Sequence, residues 1–346
     1  MRRLRLSLAQ NRGFVGACLL LAALYLVYNL LHPRGFSAAV LVQNANESVA
    51  IAFVGMAQTV PVLLGGLDLS VGAVMTLASC IASELLNGTP LQMVLGMLAT
   101  LAAGAAFGLM NGLIVVYGRI QPIITTLATG AIAIGLALII RPRPGGNVDD
   151  DLSWALTNQL VDFAETYGFA RGGEAAWFQP IAGLPVPLIL LVGTALLVWL
   201  PFRRSVTGRT VYAIGSAEGA AYMSGLPIAR AKIAAFTLSG FFAACGGLYL
   251  AIQTSSGNAD VTQAGAYTLN SIAAVVLGGT SLLGGIGGAI ASLVGALILR
   301  AISFYFRILA IDPLLQPLIE GMVLLAAVSL GAVRMLRVKN RLELFR

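Results

Sequence analysis

Long apolar runs separated by short polar intervals set the pattern of this chain. A helix rises about 1.5 Å per residue, so roughly 20 residues cross a hydrocarbon layer about 30 Å thick. Runs of that kind lie at 13 to 31, 43 to 65, 70 to 87, 91 to 117, 122 to 140, 184 to 201, 231 to 252, 266 to 281, 286 to 306 and 313 to 332. The pattern predicts an all-α polytopic membrane protein of about ten helices, with a range of eight to ten. The third, eighth and ninth runs adjoin glycine-rich breaks, where a re-entrant segment would read the same. A single membrane domain is expected over residues 1–346.

Composition agrees with that pattern. Of 346 residues, 58% are apolar and 10% charged, and the mean hydropathy is +0.89. A soluble domain would carry charge on about a quarter of its residues. The 40 glycines suit membrane helices, whose backbones approach closely. The net charge of +7 sits in clusters between apolar runs rather than on one face, so it reads as loops on the cytoplasmic side and calls for no nucleic acid. With the amino terminus inside, ten crossings place 15 Lys and Arg inside and six outside, so both termini are expected to be cytoplasmic. The opening run from Phe14 to Leu31 has the outline of a secretory signal. It exceeds the usual core of about 7 to 15 residues and more spans come after it, so a retained helix is expected. Cys18, Cys80 and Cys245 lie inside apolar runs without paired spacing, and neither a disulfide, a metal site nor a cofactor is expected.

The longest polar interval, 141–182, falls outside on this topology and reads as a plug, a lid, a docking platform or a tolerated surface insertion. Asp149 to Asp151 can cap one short helix carrying Leu152, Leu156, Leu160 and Phe163, while Trp154 and Trp177 suit a headgroup-level surface.

A duplication is the most informative feature. Val62 to Met75 reads VLLGGLDLSVGAVM and Val275 to Ile290 reads VVLGGTSLLGGIGGAI. Each is an apolar run ending in Leu-Gly-Gly, a short turn and a second apolar run, which predicts parallel repeats with interrupted helices of the kind transporters use. Gly65 and Gly66 permit the turn. Asp68 or Ser70 can then accept from the orphan amides of the next helix. The alternative places Asp68 on a solute path or gate, since a carboxylate near the bilayer centre costs about 2.5 to 3.5 kcal/mol.

The basic interval from Phe202 to Lys232, with its core at 203–230, is the main cytoplasmic loop on this topology. Ser216 is a plausible cap for a short helix from Ala217 to Ser224 ended by Gly225, a projection shaped to be gripped. An ordinary basic loop meeting anionic lipid would explain Arg203 and Arg204 equally.

Three stretches resemble the membrane permease subunits of ribose-type and other monosaccharide ATP-binding-cassette importers: Gly66-Leu-Asp-Leu-Ser-Val-Gly72, Asn111 through Gln121-Pro122 to Thr126, and Gly208-Arg209 to Gly225. The resemblance covers about residues 13 to 334. It implies pairing with a second permease chain, identical or paralogous, on two cytoplasmic ATPase subunits or a fused tandem ATPase, with solute delivered by a periplasmic sugar-binding protein. It also implies a coupling helix at Ala217 to Leu226, with Glu218, Ala220, Ala221, Ser224 and Gly225 fitting a groove on the ATPase. The chain departs from the usual pattern, in which Asn-Pro precedes the Glu and Ala follows it. Ser216-Ala217 and Gly219 stand there instead. Its outer loop is also longer than usual.

The two lysines, Lys232 and Lys339, follow no phosphate-binding glycine run, so ATP hydrolysis is expected on another subunit and the chain is not itself an enzyme. A sugar path needs neutral donors and acceptors, for which Asn44, Asn46, Gln58, Asn111, Thr125, Thr126, Asn270 and Gln316 are candidates. Glu47 near the outer surface and Glu320 in the tenth run are the remaining acids at comparable depth. Arg141, Arg143 and Arg171 are candidates for meeting a binding protein. The alternatives are permeases for branched-chain amino acids or nucleosides, a proton- or sodium-driven carrier, a channel, and an intramembrane enzyme. The last lacks a visible nucleophile with its base.

Overall fold

The computed structural model describes residues 12–32, 35, 37–169 and 178–312, with scattered positions between 315 and 329. Gln316, Glu320, Arg171, Trp177 and most of the tenth apolar run lie outside the described residues.

Apolar periodicity makes helices almost throughout: α1 Arg12–Leu31, α2 Ala38–Leu63, α3 Val71–Leu85, α4 Pro90–Tyr117 and α5 Pro122–Ile140. The polar interval 141–182 comes next, with α6 Asp150–Thr157, α7 Leu160–Thr166 and α8 Gln179–Ala182. Then come α9 Val186–Thr194, a π-helical stretch Ala195–Trp199, α10 Leu200–Arg204, α11 Val206–Met223, α12 Ile228–Thr254, α13 Val261–Leu277 and α14 Ala289–Ile308. Among the described residues seven helices, with α9 to α10 taken as one, are long and apolar enough to cross a membrane, and α3 and α13 are shorter apolar helices. The fold is all-α and polytopic, with interrupted helices as the sequence predicts.

Boundaries differ where caps decide. The second helix begins at Ala38, five residues before the predicted start, because the Ser37 side chain accepts from the Val40 amide at 3.4 Å. The π-helical stretch lies just before Pro201, whose ring clashes with the carbonyl four residues back and favours a widened turn.

Helix α2 is the axis of the bundle, buried almost along its whole length, with α12, α13 and α14 packed on it. Helices α4 and α12 meet through small residues. A Cβ at Gly108 would stand 2.2 Å from the Phe236 carbonyl oxygen, and one at Gly240 would stand 2.1 Å from that of Gly104. Such spacing lets backbones approach closely in a medium that offers no hydrophobic drive between helices.

The stretch from Asp149 to Phe163 forms parts of two helices rather than one. Asp149 caps α6, accepting from the Leu152 amide at 2.9 Å, but the chain turns extended at Asn158 and α7 starts anew. The interval is stitched to the bundle. Gly145 and Gly257 exchange backbone hydrogen bonds of 3.1 and 2.7 Å, Ser153 Oγ donates to the Ile252 carbonyl, and Asn46 Nδ2 donates to that of Thr157. Arg141 is committed to the same end. It pairs with Glu84 at 2.7 Å and donates to Ser83 Oγ at 3.1 Å, so it is not the free basic group the sequence offers to a partner.

Candidate functional site: two helix breaks and the projection beside them

Both copies of the repeat end a helix in the same way, at the same end of the bundle. In α2 the Gly65 amide donates to the Val62 carbonyl and the Gly66 amide to that of Pro61, with Gly65 at φ +82°. In α13 the Gly279 amide donates to Val276 and the Thr280 amide to Val275, with Gly279 at φ +86°. These are Schellman closures, which need a residue in the left-handed region that glycine occupies without cost. The structural equivalence is therefore Gly65 with Gly279. It lies one residue out of phase with an alignment of the two Leu-Gly-Gly triplets. The repeats are parallel, as predicted, and their breaks touch: the Gly285 amide donates to the otherwise unused Leu63 carbonyl at 3.0 Å.

The first break leads into a buried polar knot. Asp68 is 2% exposed. Its Oδ1 accepts from the Ser70 amide at 2.9 Å and Ser70 Oγ at 2.5 Å, and its Oδ2 accepts from Ser239 Oγ of α12 at 2.8 Å. Asn111 Nδ2 of α4 donates to Ser70 Oγ at 2.9 Å. Thr126 Oγ1 of α5 accepts from the Leu69 amide at 2.9 Å, and Thr268 Oγ1 of α13 accepts from the Gly72 amide at 3.1 Å. Four helices, α4, α5, α12 and α13, thus close on one turn. Asp68 takes the capping role expected of it. Ser70 does not cap, since its hydroxyl is spent on Asp68 and Asn111. Two of the matching stretches, Gly66 to Gly72 and Asn111 to Thr126, meet here, and sequence reading missed Ser239 and Thr268, whose lone hydroxyls on apolar helices give no signal.

The remaining neutral polar candidates divide. Asn44 is buried against the Tyr28 hydroxyl, and Asn46 is bonded to Tyr249. Gln58, Asn111 and Thr125 are buried with at least one polar atom lacking a partner among the described residues, the whole amide in Gln58. Asn270 is half-buried with no hydrogen-bond partner among the described residues. These positions are not brought into one cavity. Glu47 is paired with Arg307 through bonds of 2.5 and 2.7 Å, and its carbonyl accepts from Arg300.

The third matching stretch packs on both breaks. Gly215 of α11 is so tightly placed that a Cβ would stand 1.9 Å from the Leu63 carbonyl oxygen and 2.4 Å from the Gly285 amide. Tyr212 Oη donates to the Gly287 carbonyl at 2.7 Å. Immediately beyond, Ala217 is extended (φ −164°, ψ 97°), and a short helix projects from Glu218 to Met223, closed by Gly225 at φ +73°. Ser216 is not its cap: its hydroxyl donates back to the Tyr212 carbonyl, and Ala217 makes the turn. Glu218, Ala220, Ser224 and Gly225 are exposed, whereas Ala221 packs inward and offers no surface. Tyr222 and Met223, 75% and 85% exposed, are the large groups the projection presents, and sequence reading passed over them. Glu218 pairs with Lys232 of α12 at 2.5 Å. A cavity of about 1070 Å³ opens beneath, bounded by Gly65, Gly66, Pro122, Arg119, Glu218 and Lys232.

Comparison with known proteins places this arrangement. The family described as branched-chain amino acid transport system / permease component matches residues 40–328. The ribose import permease protein RbsC of Bacillus subtilis (strain 168) is 33% identical over 318 residues, 91% of this chain and 92% of the relative. RbsC of Escherichia coli (strain K12) is 30% identical over 321 residues, 93% of each chain. The L-arabinose transport system permease protein AraH of the same strain is 35% identical over 264 residues, 76% of this chain and 74% of the relative. No solved structure matches. The match spans both helix breaks, the polar knot and the projection, and the chain belongs to this family of transport-system permease components.

Proposed function

We propose that the chain is the permease subunit of an ATP-binding-cassette importer for a monosaccharide, a ribose-like pentose or a hexose, in a bacterial inner membrane with both termini cytoplasmic. The names of the relatives, ribose and arabinose among them, support the solute class. The family description mentions branched-chain amino acids, which keeps that solute as the second reading. The Glu218 end faces the cytoplasm. Two ATPase subunits or a fused tandem ATPase grip the projection through Glu218, Ala220, Ser224 and Gly225, with Tyr222 and Met223 added. Ala221 supports the helix from beneath. A second permease chain completes the path, and a periplasmic binding protein delivers the sugar to the opposite end, where 141–182 forms the extracytoplasmic loop.

The observation that carries this reading is Gly215. A projection hinged at Ala217 and lodged through Gly215 between the Leu63 carbonyl and the Gly285 amide delivers a push to both helix breaks at once. ATP-driven closure of the ATPases then shifts the permease between outward- and inward-open states by differential binding to the two. Asp68, Ser70, Gly65 and Gly66 act as the hinge rather than as solute ligands. Gln58, Asn111, Thr125 and Asn270 offer unpaired polar atoms for the route. Asp68 is held by serines and faces no basic partner among the described residues, which favours this reading over a proton- or sodium-driven carrier. Reconstitution in vesicles with the ATPase and binding protein tests it: uptake requires ATP. Uptake that persists without ATP and collapses with an ion gradient refutes it.

A further inference from the structure

At the end opposite Glu218, a pocket of about 450 Å³ opens between the start of α2, the end of α12 and the corner joining α6 to α7. Its walls carry five side-chain amides, Gln43, Asn46, Asn158, Gln159 and Gln253, beside the Glu47 carboxylate. Glu47 is the one charged group among the described lining residues, and Arg307 meets that charge from outside the pocket. The lining is therefore dense in donors and acceptors yet close to electrically neutral.

Its geometry is partly fixed in advance. Tyr249 Oη donates to Asn46 Oδ1, and Asn46 Nδ2 donates to the Thr157 carbonyl at 2.6 Å, which leaves one amide proton free. Asn158 Nδ2 gives one proton to the Trp154 carbonyl at 3.0 Å, which leaves its second proton to donate and its Oδ1 to accept. Gln253 is half-buried and has no hydrogen-bond partner among the described residues. A side-chain amide offers a donor and an acceptor in one plane. Neighbouring hydroxyls on a sugar ring, each able to give and to take a hydrogen bond, match several such planes. A zwitterionic amino acid would find no cation for its carboxylate. No aromatic ring lines the pocket among the described residues, so binding lacks stacking and stays loose, as a solute that must leave again requires.

We propose that this pocket is an outer subsite for a neutral, polyhydroxylated solute of monosaccharide size. The inference deepens the sugar-permease reading and rests on it for the identity of the solute. One wall, Thr157 to Gln159, belongs to the long outer interval, so the subsite is a property of this chain's own loop.

Protection from thiol labelling tests it on the full chain in nanodiscs, without ATPase or binding protein. Gln43→Cys and, as a second variant, Asn158→Cys are exposed to a methanethiosulfonate reagent. Ribose, arabinose or allose at tens of millimolar is expected to slow labelling several-fold, and leucine at the same concentration to leave it unchanged. Gln263→Cys, exposed at the same end outside the pocket, is expected to label at one rate throughout. Equal labelling of both pocket thiols with and without every sugar overturns the proposal. So does equal protection by leucine. Because no ATP enters this assay, sugar protection in a chain that fails ATP-dependent uptake would sink the importer reading and leave the subsite standing. The converse result would do the opposite.

Discussion

Replacing Asp68 separates a hinge from a solute ligand. The carboxylate accepts three hydrogen bonds inside the bundle, from the Ser70 amide, Ser70 Oγ and Ser239 Oγ. In Asp68→Asn the side-chain oxygen still accepts from Ser70, and the new Nδ2 faces Ser239 Oγ, which can turn to accept. The number of bonds is kept but the charge on the acceptor is lost. Bonds to a charged group are worth about 1.5–3 kcal/mol each against about 0.5–1.5 for neutral ones, and the loss summed over three bonds is offset in part because no charge is buried any longer, so the net cost is about 1–2 kcal/mol. Asp68→Ala leaves the buried Ser70 amide without an acceptor and opens a void between α3 and α12. An orphaned buried donor costs about 1–3 kcal/mol and lost packing adds to it, which brings the total to about 3–5 kcal/mol. Thermal unfolding of purified protein in detergent, followed by tryptophan fluorescence, should show Asp68→Ala melting well below Asp68→Asn, and both below the parent. Uptake per folded molecule should survive in Asp68→Asn within about tenfold, the equivalent of 1.4 kcal/mol. An Asp68→Ala protein that melts with the parent while losing all uptake would refute the reasoning and put the carboxylate on the solute route.

Gly108→Leu should abolish the monodisperse peak in size-exclusion chromatography, because its Cβ would lie 2.2 Å from the Phe236 carbonyl oxygen. Gly108→Ala should cost about 1–3 kcal/mol by overpacking, more than its gain of about 1 kcal/mol in helix propensity, while Gly193→Ala, open within 4 Å, should be neutral or better. Tyr222→Ala and Met223→Asp should leave melting unchanged and abolish co-purification of the ATPase. Glu218→Ala breaks an exposed ion pair worth about 0–1 kcal/mol and should change coupling of hydrolysis to uptake far more than stability. Arg141→Ala should lower the melting temperature modestly by freeing Glu84 and Ser83, and leave half-saturation by the binding protein in an uptake assay unchanged.

Helix existence was legible because span length and hydropathy are local properties. Breaks were legible only where glycine marks them. Gly65 and Gly225 announce left-handed closures. Ala217 announces nothing, since alanine is the best helix former and its extended backbone comes from Gly215 being lodged against Leu63 and Gly285, residues remote in sequence. The Leu152 to Phe163 spacing reads as one helix. It splits at Asn158, whose carbonyl takes the Val186 amide. The knot shows the same limit. Asp68, Asn111 and Thr126 stand out as polar residues near breaks, whereas Ser239 and Thr268 acquire meaning only from the helices that face them. Ala221, expected at the surface, turns inward while Met223, for which nothing was expected, turns outward, because the facing of a two-turn helix depends on where it starts.

The phase shift between the repeats bears on how the protein works. Both helices close with the same hydrogen bonds, but the segments that lead on from the two closures differ in kind. After Gly65 comes Gly66 and then a carboxylate locked to three donors, a turn fastened to α4, α5, α12 and α13. After Gly279 comes Thr280, whose hydroxyl takes the Gly288 amide at 3.2 Å, and then glycines 284, 285 and 287 at positive φ with no carboxylate among them. The first break is clamped by a carboxylate and by side chains from four helices, whereas the second is held by its own backbone and the short hydroxyls of Thr280 and Ser281, with Tyr212 reaching it from α11. A push arriving through Gly215 meets both. The clamped turn resists and carries its helices as a unit, while the glycine-rich turn can absorb a change in backbone angles with little steric cost. Stiffening the second break should therefore impair transport without loosening the fold. Gly284 is pressed against Gly65 and Gly215, and Gly287 against Thr280, so alanine there would clash. Ser281→Pro fixes its own φ and restricts Thr280 before it, and it removes two hydrogen bonds, the Ser281 amide to the Ile286 carbonyl at 3.0 Å and the Leu283 amide to Ser281 Oγ at 3.3 Å. It should slow uptake at saturating sugar while leaving melting within about 1–3 kcal/mol of the parent, the net worth of two hydrogen bonds. If uptake is unchanged, the second break is a scaffold and the moving part lies elsewhere.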